Sequence, residues 1–302
     1  MELRHLRSFV AVAEELNFTR AATRLHVEQS PLSRTIKELE SDLGAVLFER
    51  NSRGVRLTWA GERFLDDTRR LLAKLEQARA NVKRAALGFR GVLRVALSDC
   101  VPADRLATVL ANCRIDEPDV DIRLYEVPYS QQVKGLLSDL YDVGFSRSPG
   151  NEPGLQSQPV WHDELVAALP ARHPLLVHRH IPLTEALRYP LILCHPDTCE
   201  GHYQQIERLL KSVSTDQELH VAEHAASQSM MKALVSAGYG LGLTCVPPQA
   251  TCLHNEIIVR PLAGAVPVQT TYLQRPATEP SPQLARFVER ATREHASDDH
   301  LG

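Results

Sequence analysis

Phe18-Thr19-Arg20-Ala21-Ala22-Thr23-Arg24-Leu25-His26-Val27-Glu28-Gln29-Ser30-Pro31-Leu32-Ser33-Arg34-Thr35-Ile36-Lys37-Glu38-Leu39-Glu40-Ser41-Asp42-Leu43 reads as two helices around a tight turn. Thr19 is expected to cap a short helix through Leu25, whose apolar face is Ala21, Ala22 and Leu25. The two alanines leave room for a second helix to cross closely. His26 to Gln29 break the pattern, and Ser30-Pro31 restarts a helix. A serine can cap its free N–H groups, and proline at the first helical position loses no hydrogen bond. Leu32, Ile36, Leu39 and Leu43 then form one buried stripe, opposite Ser33, Arg34 and Lys37. Such a pair can lay its second helix in a DNA major groove, where the helix start meets base edges and nearby cations reach phosphate or guanine. The candidate contacts are Thr19, Arg20, Gln29, Ser30, Pro31, Ser33, Arg34 and Lys37. An ordinary helical hairpin with a solvated charged face is the competing reading.

Phe48 to Thr58 is hairpin-like. Asn51 to Gly54 are turn residues, and Val55 and Leu57 alternate with Arg56 and Thr58. Arg50, Arg53 and Arg56 suit a wing along the DNA backbone, with a tip reaching the minor groove. Charge supports this division. Residues 1–90 carry 17 Lys and Arg against 12 Asp and Glu, a net of +5; the remainder of the 302 residues carries 17 against 25, a net of −8. A positive head on a negative body suits a head that meets phosphate.

These residues resemble the LysR-type transcriptional regulators. The resemblance runs through Met1 to Ala22, then Leu32-Ser33-Arg34, Leu39-Glu40, Leu43-Gly44, Leu47-Phe48-Glu49-Arg50, and Leu57-Thr58 with Ala60-Gly61. It covers roughly the first ninety residues and looks closest to the branch that includes regulators of aromatic-compound catabolism. Ser30 stands where the family usually has Ala or Pro, which bears on base preference. Trp59 stands where the family rarely has Trp, and is expected to pack at the start of the next helix.

Thr58 can cap a helix from about Trp59 to Leu87. Phe64, Thr68, Leu71, Leu75, Ala78, Val82 and Ala85 alternate in spacings of four and three, the a/d seam of a coiled coil. Self-association is therefore expected, with Phe64, Leu71, Leu75 and Val82 as dimerisation residues. Two linked heads also bind one duplex more tightly than one. The resemblance implies the same homodimer, with homotetramers as pairs of dimers, and RNA polymerase is a candidate partner. Gly88 and Gly91 mark a hinge.

After Gly91 strands and helices alternate, which argues for open α/β sheets. Ser98-Asp99 is expected to start a helix after the strand Val92–Leu97, Ser130 to Leu140 to be a helix, and Leu165–Leu169 to be a short strand. Ligands in such sheets sit at the carboxyl ends of strands and at helix N-termini. The candidate effector residues are Ser98, Asp99, Cys100, Tyr129, Ser130, Arg147, Thr198, Cys199, His202 and Ser227. Leu140-Tyr141-Asp142-Val143-Gly144 and Ala237-Gly238-Tyr239-Gly240-Leu241-Gly242 resemble recurring segments of the LysR effector domain, which is similar to two-lobed periplasmic binding proteins. The resemblance implies a small-molecule effector, such as an organic acid, between the lobes. Many relatives hold a carboxylate with Thr or Ser where this chain has Pro128-Tyr129, so either Ser130 takes that role or no residue does. Asp99 would repel an anion unless neutralised.

The fold class expected is α+β multidomain. It comprises a winged helix-turn-helix (1–58), a linker and dimerisation helix (59–90), and a two-lobe α/β periplasmic-binding-protein-like domain (91–302). Its lobe I is expected at about 91–160 and 268–295, and lobe II at about 161–267. The partners expected are double-stranded DNA, an effector and a second copy of the chain, with no membrane, since no stretch approaches about twenty apolar residues. Six scattered cysteines and no apolar signal core suggest reduced thiols in the cytoplasm. No cofactor and no metal is expected. Rival readings rest on few residues: a thiol-redox regulator on Cys194 and Cys199, a metal sensor on Cys199, His202 and His195, and an enzyme on Cys199 with His202 alone. A constitutive architectural DNA-binding protein would not need two α/β lobes.

Overall fold

The N-terminal unit begins with α1 (Leu3–Glu15), α2 (Phe18–Leu25) and α3 (Gln29–Leu43). The structure is a computed structural model that describes residues 1–51, 54–213, 220–245, 252–253, 257–264 and 267–298. Leu16 and His26, both in the left-handed region, end α1 and α2, and Gly44 ends α3. Asn17, not Thr19, caps α2, because its Oδ1 accepts from the N–H groups of both Thr19 and Arg20 at 2.9 and 3.0 Å. The third helix starts at Gln29, with Glu28 as its N-cap, so Ser30 is not the cap. Pro31 then occupies the third helical position, where its missing N–H still costs no intrahelical bond.

Phe9, Val12, Phe18, Ala21, Leu32, Ile36, Leu39, Leu47 and Phe48 form one core. Leu43, expected in that stripe, is exposed at the helix end. Strands β1 (Phe48–Asn51) and β2 (Gly54–Leu57) pair antiparallel. Glu40 fixes their approach, accepting from the N–H groups of Leu47 and Phe48 at 2.8 and 3.2 Å.

Helix α4 (Trp59–Ala86) is capped by Thr58, whose hydroxyl accepts from Gly61 N–H at 3.0 Å and donates to Val46 O at 2.7 Å. Its start packs so close to the preceding loop that a Cβ on Gly61 would lie 2.2 Å from Leu47 O. Trp59 does not pack there as expected. It is 78% exposed, because the helix turns Gly61 and not Trp59 onto the domain. The seam is also divided: the Phe64 ring packs 5.0 Å from Phe9 and Thr68 is buried, so its first positions serve the domain itself. Leu71 and Val82 are exposed on the single chain.

The second unit spans Gly88–Gly302. It comprises β3 (Gly91–Leu97), α5 (Ala103–Asp116), β4 (Val120–Glu126), α6 (Tyr129–Leu137), β5 (Val143–Ser146), β6 (Leu155–Pro170) and α7 (Leu183–Ala186). Then come β7 (Leu191–Cys194), α8 (Glu200–Val213), β8 (Val221–Ala225), α9 (Gln228–Ser236), β9 (Leu241–Cys245), β10 (Cys252–Leu253), β11 (Ile257–Pro261), β12 (Val268–Pro276) and α10 (Pro282–Asp298). The strand order is β4-β3-β5-β12-β6-β9-β7-β8, with β11 also on β6. Strand β6 is therefore shared: Leu155–Glu164 pair with β12, and Leu165–Pro170 pair with β9 and β11. Only its apolar end, Leu165–Leu169, reads as strand in the sequence. Pro159 and the charged His162-Asp163-Glu164 hide the rest, and the ladder accommodates the proline at a bulge beside Thr271 and Tyr272.

Each half has its own core. In the first, Phe145 stacks on Trp161 with centroids 4.7 Å apart, and Phe287 closes the cluster. In the second, Leu165, Leu169, Leu191, Leu193, Ile206 and Leu243 pack together. Ser98-Asp99 does not start a helix. The chain loops through Asp99 and Cys100, both in the left-handed region at φ 58°, and α5 begins at Ala103. Helix α6 spans Tyr129–Leu137, short of Leu140, because Leu140 N–H turns back to Gly135 O. Gly61→Ala is expected to destabilise the N-terminal unit by roughly 1–3 kcal/mol, the usual range for overpacking. An unchanged urea midpoint for that unit would contradict the close approach.

Candidate nucleic-acid interface and effector cleft

The second face of α3 is laid out as a reading surface. Leu32, Ile36 and Leu39 are buried, while Gln29, Ser30, Pro31, Arg34 and Lys37 are exposed and Ser33 is half-buried. Arg34 and Lys37 have no ion pair or hydrogen bond among the described residues. Two unpaired cations side by side on a helix keep their charge for an external anion. Thr19 and Arg20 lie exposed on α2, and Arg20 is held by Glu15 at 2.6 Å. Glu14 bridges Arg69 of α4 and Arg24 of α2 at 2.8 Å each, which holds its carboxyl below the usual range. Arg56 is exposed on β2 and Arg50 lies on β1, while Arg53 falls outside the described residues.

In the C-terminal unit the buried junction between the two halves is organised around Asp99. The left-handed turn after β3 swings its carboxyl across to the N-terminus of α8, where Oδ1 accepts from Gly201 N–H at 2.9 Å. Oδ2 accepts from the Ser146 hydroxyl at 2.6 Å, Arg147 N–H at 3.3 Å and the Ser148 hydroxyl at 3.4 Å. A Cβ on Gly201 would lie 2.6 Å from that carboxyl and 2.5 Å from Ser148 N, so only glycine admits this approach. Burial pushes the Asp99 carboxyl above its ordinary value, against the pull of the Ser146, Gly201 and Arg147 donors. The carboxyl expected to repel an anion is thus held by four donors, one of them at a helix N-terminus.

Arg147 is 1% exposed, and its Nη2 reaches Asp163 at 3.3 Å. Its Nε and Nη1 are buried without a hydrogen-bond partner among the described residues. Gln205 of α8 donates to Arg147 O and Thr270 O at 2.5 and 3.0 Å, tying α8 of the second half to the first. His202 donates Nδ1–H to Gln269 Oε1 at 3.0 Å, and burial together with the Arg147 charge pushes its pKa down to about 4. Cys199 does not pair with His202 or His195. Its Sγ lies 2.7 Å from Cys100 Sγ, and both lie close to Cys194. Hydrogen bonds from the Cys100 and Cys194 thiols hold Cys199 below the usual thiol range, while hydrogen bonding to Cys194 and Cys199, together with burial, pushes Cys100 up.

The structure thus gathers Asp99, Cys100, Arg147, Cys199 and His202 and leaves others aside. Ser98 is buried against Phe145 O, with its N–H at 3.0 Å and its hydroxyl at 3.4 Å. Tyr129 donates to Glu152 at 3.1 Å. Ser130 and Thr198 are exposed, and Ser227 spends its hydroxyl capping α9 at Met230 N–H. Ser130 lies outside the Asp99 cluster, with its side chain exposed. The sequence reading missed Ser146, Ser148, Asp163, Gly201, Gln205 and Gln269. The two serines were within reach, since they flank Arg147 just past an apolar strand. Asp163, Gln205 and Gln269 meet Arg147 and His202 only through the sheet register.

Two family models match the chain. The model for the bacterial regulatory helix-turn-helix protein of the lysR family covers residues 3–62, and the LysR substrate binding domain covers 86–296. The chain belongs to the LysR family. It is a transcriptional regulator with a DNA-binding helix-turn-helix head and an effector-binding C-terminal domain. It is 34% identical over 290 residues to the regulator YnfL of Escherichia coli K12, covering 95% of this chain and 96% of that one. It is 33% identical to the regulator CatR of Pseudomonas putida, covering 95% and 97%. Full-length CbnR, a LysR regulator solved in complex with its target DNA, superposes with a TM-score of 0.79 at 30% identity, over 97% of this chain and 99% of that one. No helix among the described residues is long and apolar enough to cross a membrane.

His202 gives this LysR domain a pH dependence of defined sign. Its folded pKa lies below the unfolded value of 6.5, so its contribution is complete above that pH and is lost as pH falls towards about 4. The loss amounts to roughly 3 kcal/mol. Denaturation midpoints across that window should fall for the wild type and stay flatter for His202→Gln; matching slopes would refute the assignment.

Proposed function

We propose that α3 reads operator DNA with Gln29, Ser30, Ser33, Arg34 and Lys37. Thr19, Arg20, Pro31 and the arginines of the β1–β2 ribbon position the head on the phosphate backbone. The observation that carries this reading is the unpaired Arg34 and Lys37 on the exposed face of a helix whose other face is core. The target-DNA complex of CbnR supports it. Arg34→Ala should weaken operator binding by about 1–3 kcal/mol at fixed salt. Lys37→Ala should weaken it without changing sequence preference and lower the salt slope by about 1. Unchanged affinity in Arg34→Ala would remove α3 from the interface.

The heads act in pairs through α4. Leu71, Leu75 and Val82 continue the seam beyond the part that Phe64 and Thr68 commit to the head, and two of them are exposed on a single chain. Glutamate at both Leu71 and Leu75 should give smaller particles in sedimentation, and an unaltered mass would refute the seam.

The effector of this reading is a small organic acid held between the two halves. Arg147 supports it, because two of its buried guanidinium nitrogens have no hydrogen-bond partner among the described residues and guanidinium pairs readily with carboxylate. Two relatives are named as the activator of the hca operon and the probable activator of the cat1 operon. A catalytic role is not part of the proposal. His202 is committed to Gln269 and Cys199 to other thiols, so no nucleophile–base pair forms between them.

A further inference from the structure

Cys100 precedes Cys194 and Cys199 by 94 and 99 positions, yet the three sulfurs converge at the junction of the two halves, all within 4.8 Å of one another. They come from three separate elements. Cys100 sits on the left-handed loop after β3, in the first half of the domain. Cys194 ends β7, and Cys199 immediately precedes α8, both in the second half. Cys194 and Cys199 are 1% and 3% exposed, and Cys100 is half-buried. A structural thiol needs no such company. Packing alone is satisfied by any small apolar side chain, and Cys113, buried in the first core, shows that plainer use.

We propose that these three cysteines form a binding site for a thiophilic metal ion of low coordination number, with monovalent copper as the cation that fits. The donor set is soft and contains only sulfur, which selects such ions over hard cations. With metal–sulfur bonds of about 2.3 Å, a planar three-sulfur arrangement sets the sulfurs roughly 4 Å apart. The sulfurs lie within 4.8 Å of one another, and the Cys100–Cys199 pair, at 2.7 Å, must open by more than about 1 Å to admit the ion, a movement that rotation about the Cα–Cβ bonds supplies. Zinc would demand a fourth ligand. The nearby histidines are engaged: His202 bonds Gln269, and His195 accepts from Asp197 N–H at 3.2 Å.

Binding exchanges protons for metal. Each thiol that ligates the ion releases its proton to solvent, and no electron is transferred. Three thiolates around a monovalent cation leave a net charge of about −2, which the N-terminus of α8 beside Cys199 opposes. The ion would tie the loop after β3 to β7 and α8, joining the same two halves that Asp99 clasps through Gly201. The site thus names a second ligand class for the effector domain. Its consequence for DNA rests on the regulator reading, but the binding itself does not.

The test uses the full-length reduced protein under anaerobic conditions, titrated with Cu(I) against a competing chromophoric chelator. The expected result is one Cu(I) per chain with a three-sulfur shell in X-ray absorption. Cys100→Ser, Cys194→Ser and Cys199→Ser should each weaken binding at least tenfold, while Cys113→Ser should not. Cys100 is half-buried on a loop, so Cys100→Ser serves even where the two more buried variants unfold. Wild-type affinity in Cys100→Ser, a two-sulfur shell, or a Cys100–Cys199 disulfide in the reduced preparation with no copper bound would overturn the proposal. Operator affinity of the same metal-free samples reports separately on DNA reading; intact DNA binding without copper binding would sink the metal site and leave the regulator standing.

Discussion

One buried carboxyl joins the halves of the effector domain. Asp99 leaves β3 through a backbone conformation that non-glycine residues rarely adopt, and Cys100 repeats it. Two such residues in succession cost of order 1–3 kcal/mol each and persist only where the surroundings hold them. Here the holding groups are visible: a helix N-terminus, two serine hydroxyls and a backbone N–H converge on the carboxyl. The strain is offset by four hydrogen bonds to the buried carboxyl, whose pKa burial raises against the pull of these donors. Without Gly201 the carboxyl could not come close enough, and without the left-handed turn it would point elsewhere.

The rest of the cleft follows from that clasp. Bringing the β3 loop against α8 also brings Cys100 to Cys199 and sets Arg147, whose own N–H caps the Asp99 carboxyl, facing Asp163. The result is a compact set of opposite charges and soft donors at the junction of two cores that are otherwise independent. Strand β6 runs through both halves, so a change in the cleft acts on a continuous ladder. In the head, by contrast, cohesion is hydrophobic. Phe9 meets Phe48 and Phe64, and the charged residues are left for the surface.

The helix-turn-helix was legible because local signals agree there. Small alanines, a step of three and four, and glycine at the end of α3 all act within one or two turns. The errors were also local: Asn17 outcompetes Thr19 as a cap, and α3 begins at Gln29 because proline is tolerated through the first turn. Trp59 misled because a large apolar residue at a helix start suggests packing, whereas the helix is rotated to present Gly61. In the sheet domain β6 was seen only in its apolar half, since a proline and three charged or polar residues mask the ladder. The cleft residues were named in part, Asp99, Arg147, Cys199 and His202 among them, because chain ends of strands and starts of helices are readable. Their partners were not, since Gln205, Gln269 and Asp163 carry no pattern that marks them.

The amino-acid sequence by itself determined the kind of protein: a basic head with one polar helix face, a long heptad helix, and an alternating sheet domain, all set by short-range periodicity and charge. The tertiary structure alone decided which distant residues share the cleft. It placed Cys100 beside Cys199, gave the Asp99 charge a helix end to cap, and left Arg147 with buried donors to spare. The reason is physical. Periodicity records which face of an element is buried, but the pairing of two strand ends from separate halves depends on sheet order and on backbone turns that no local spacing encodes.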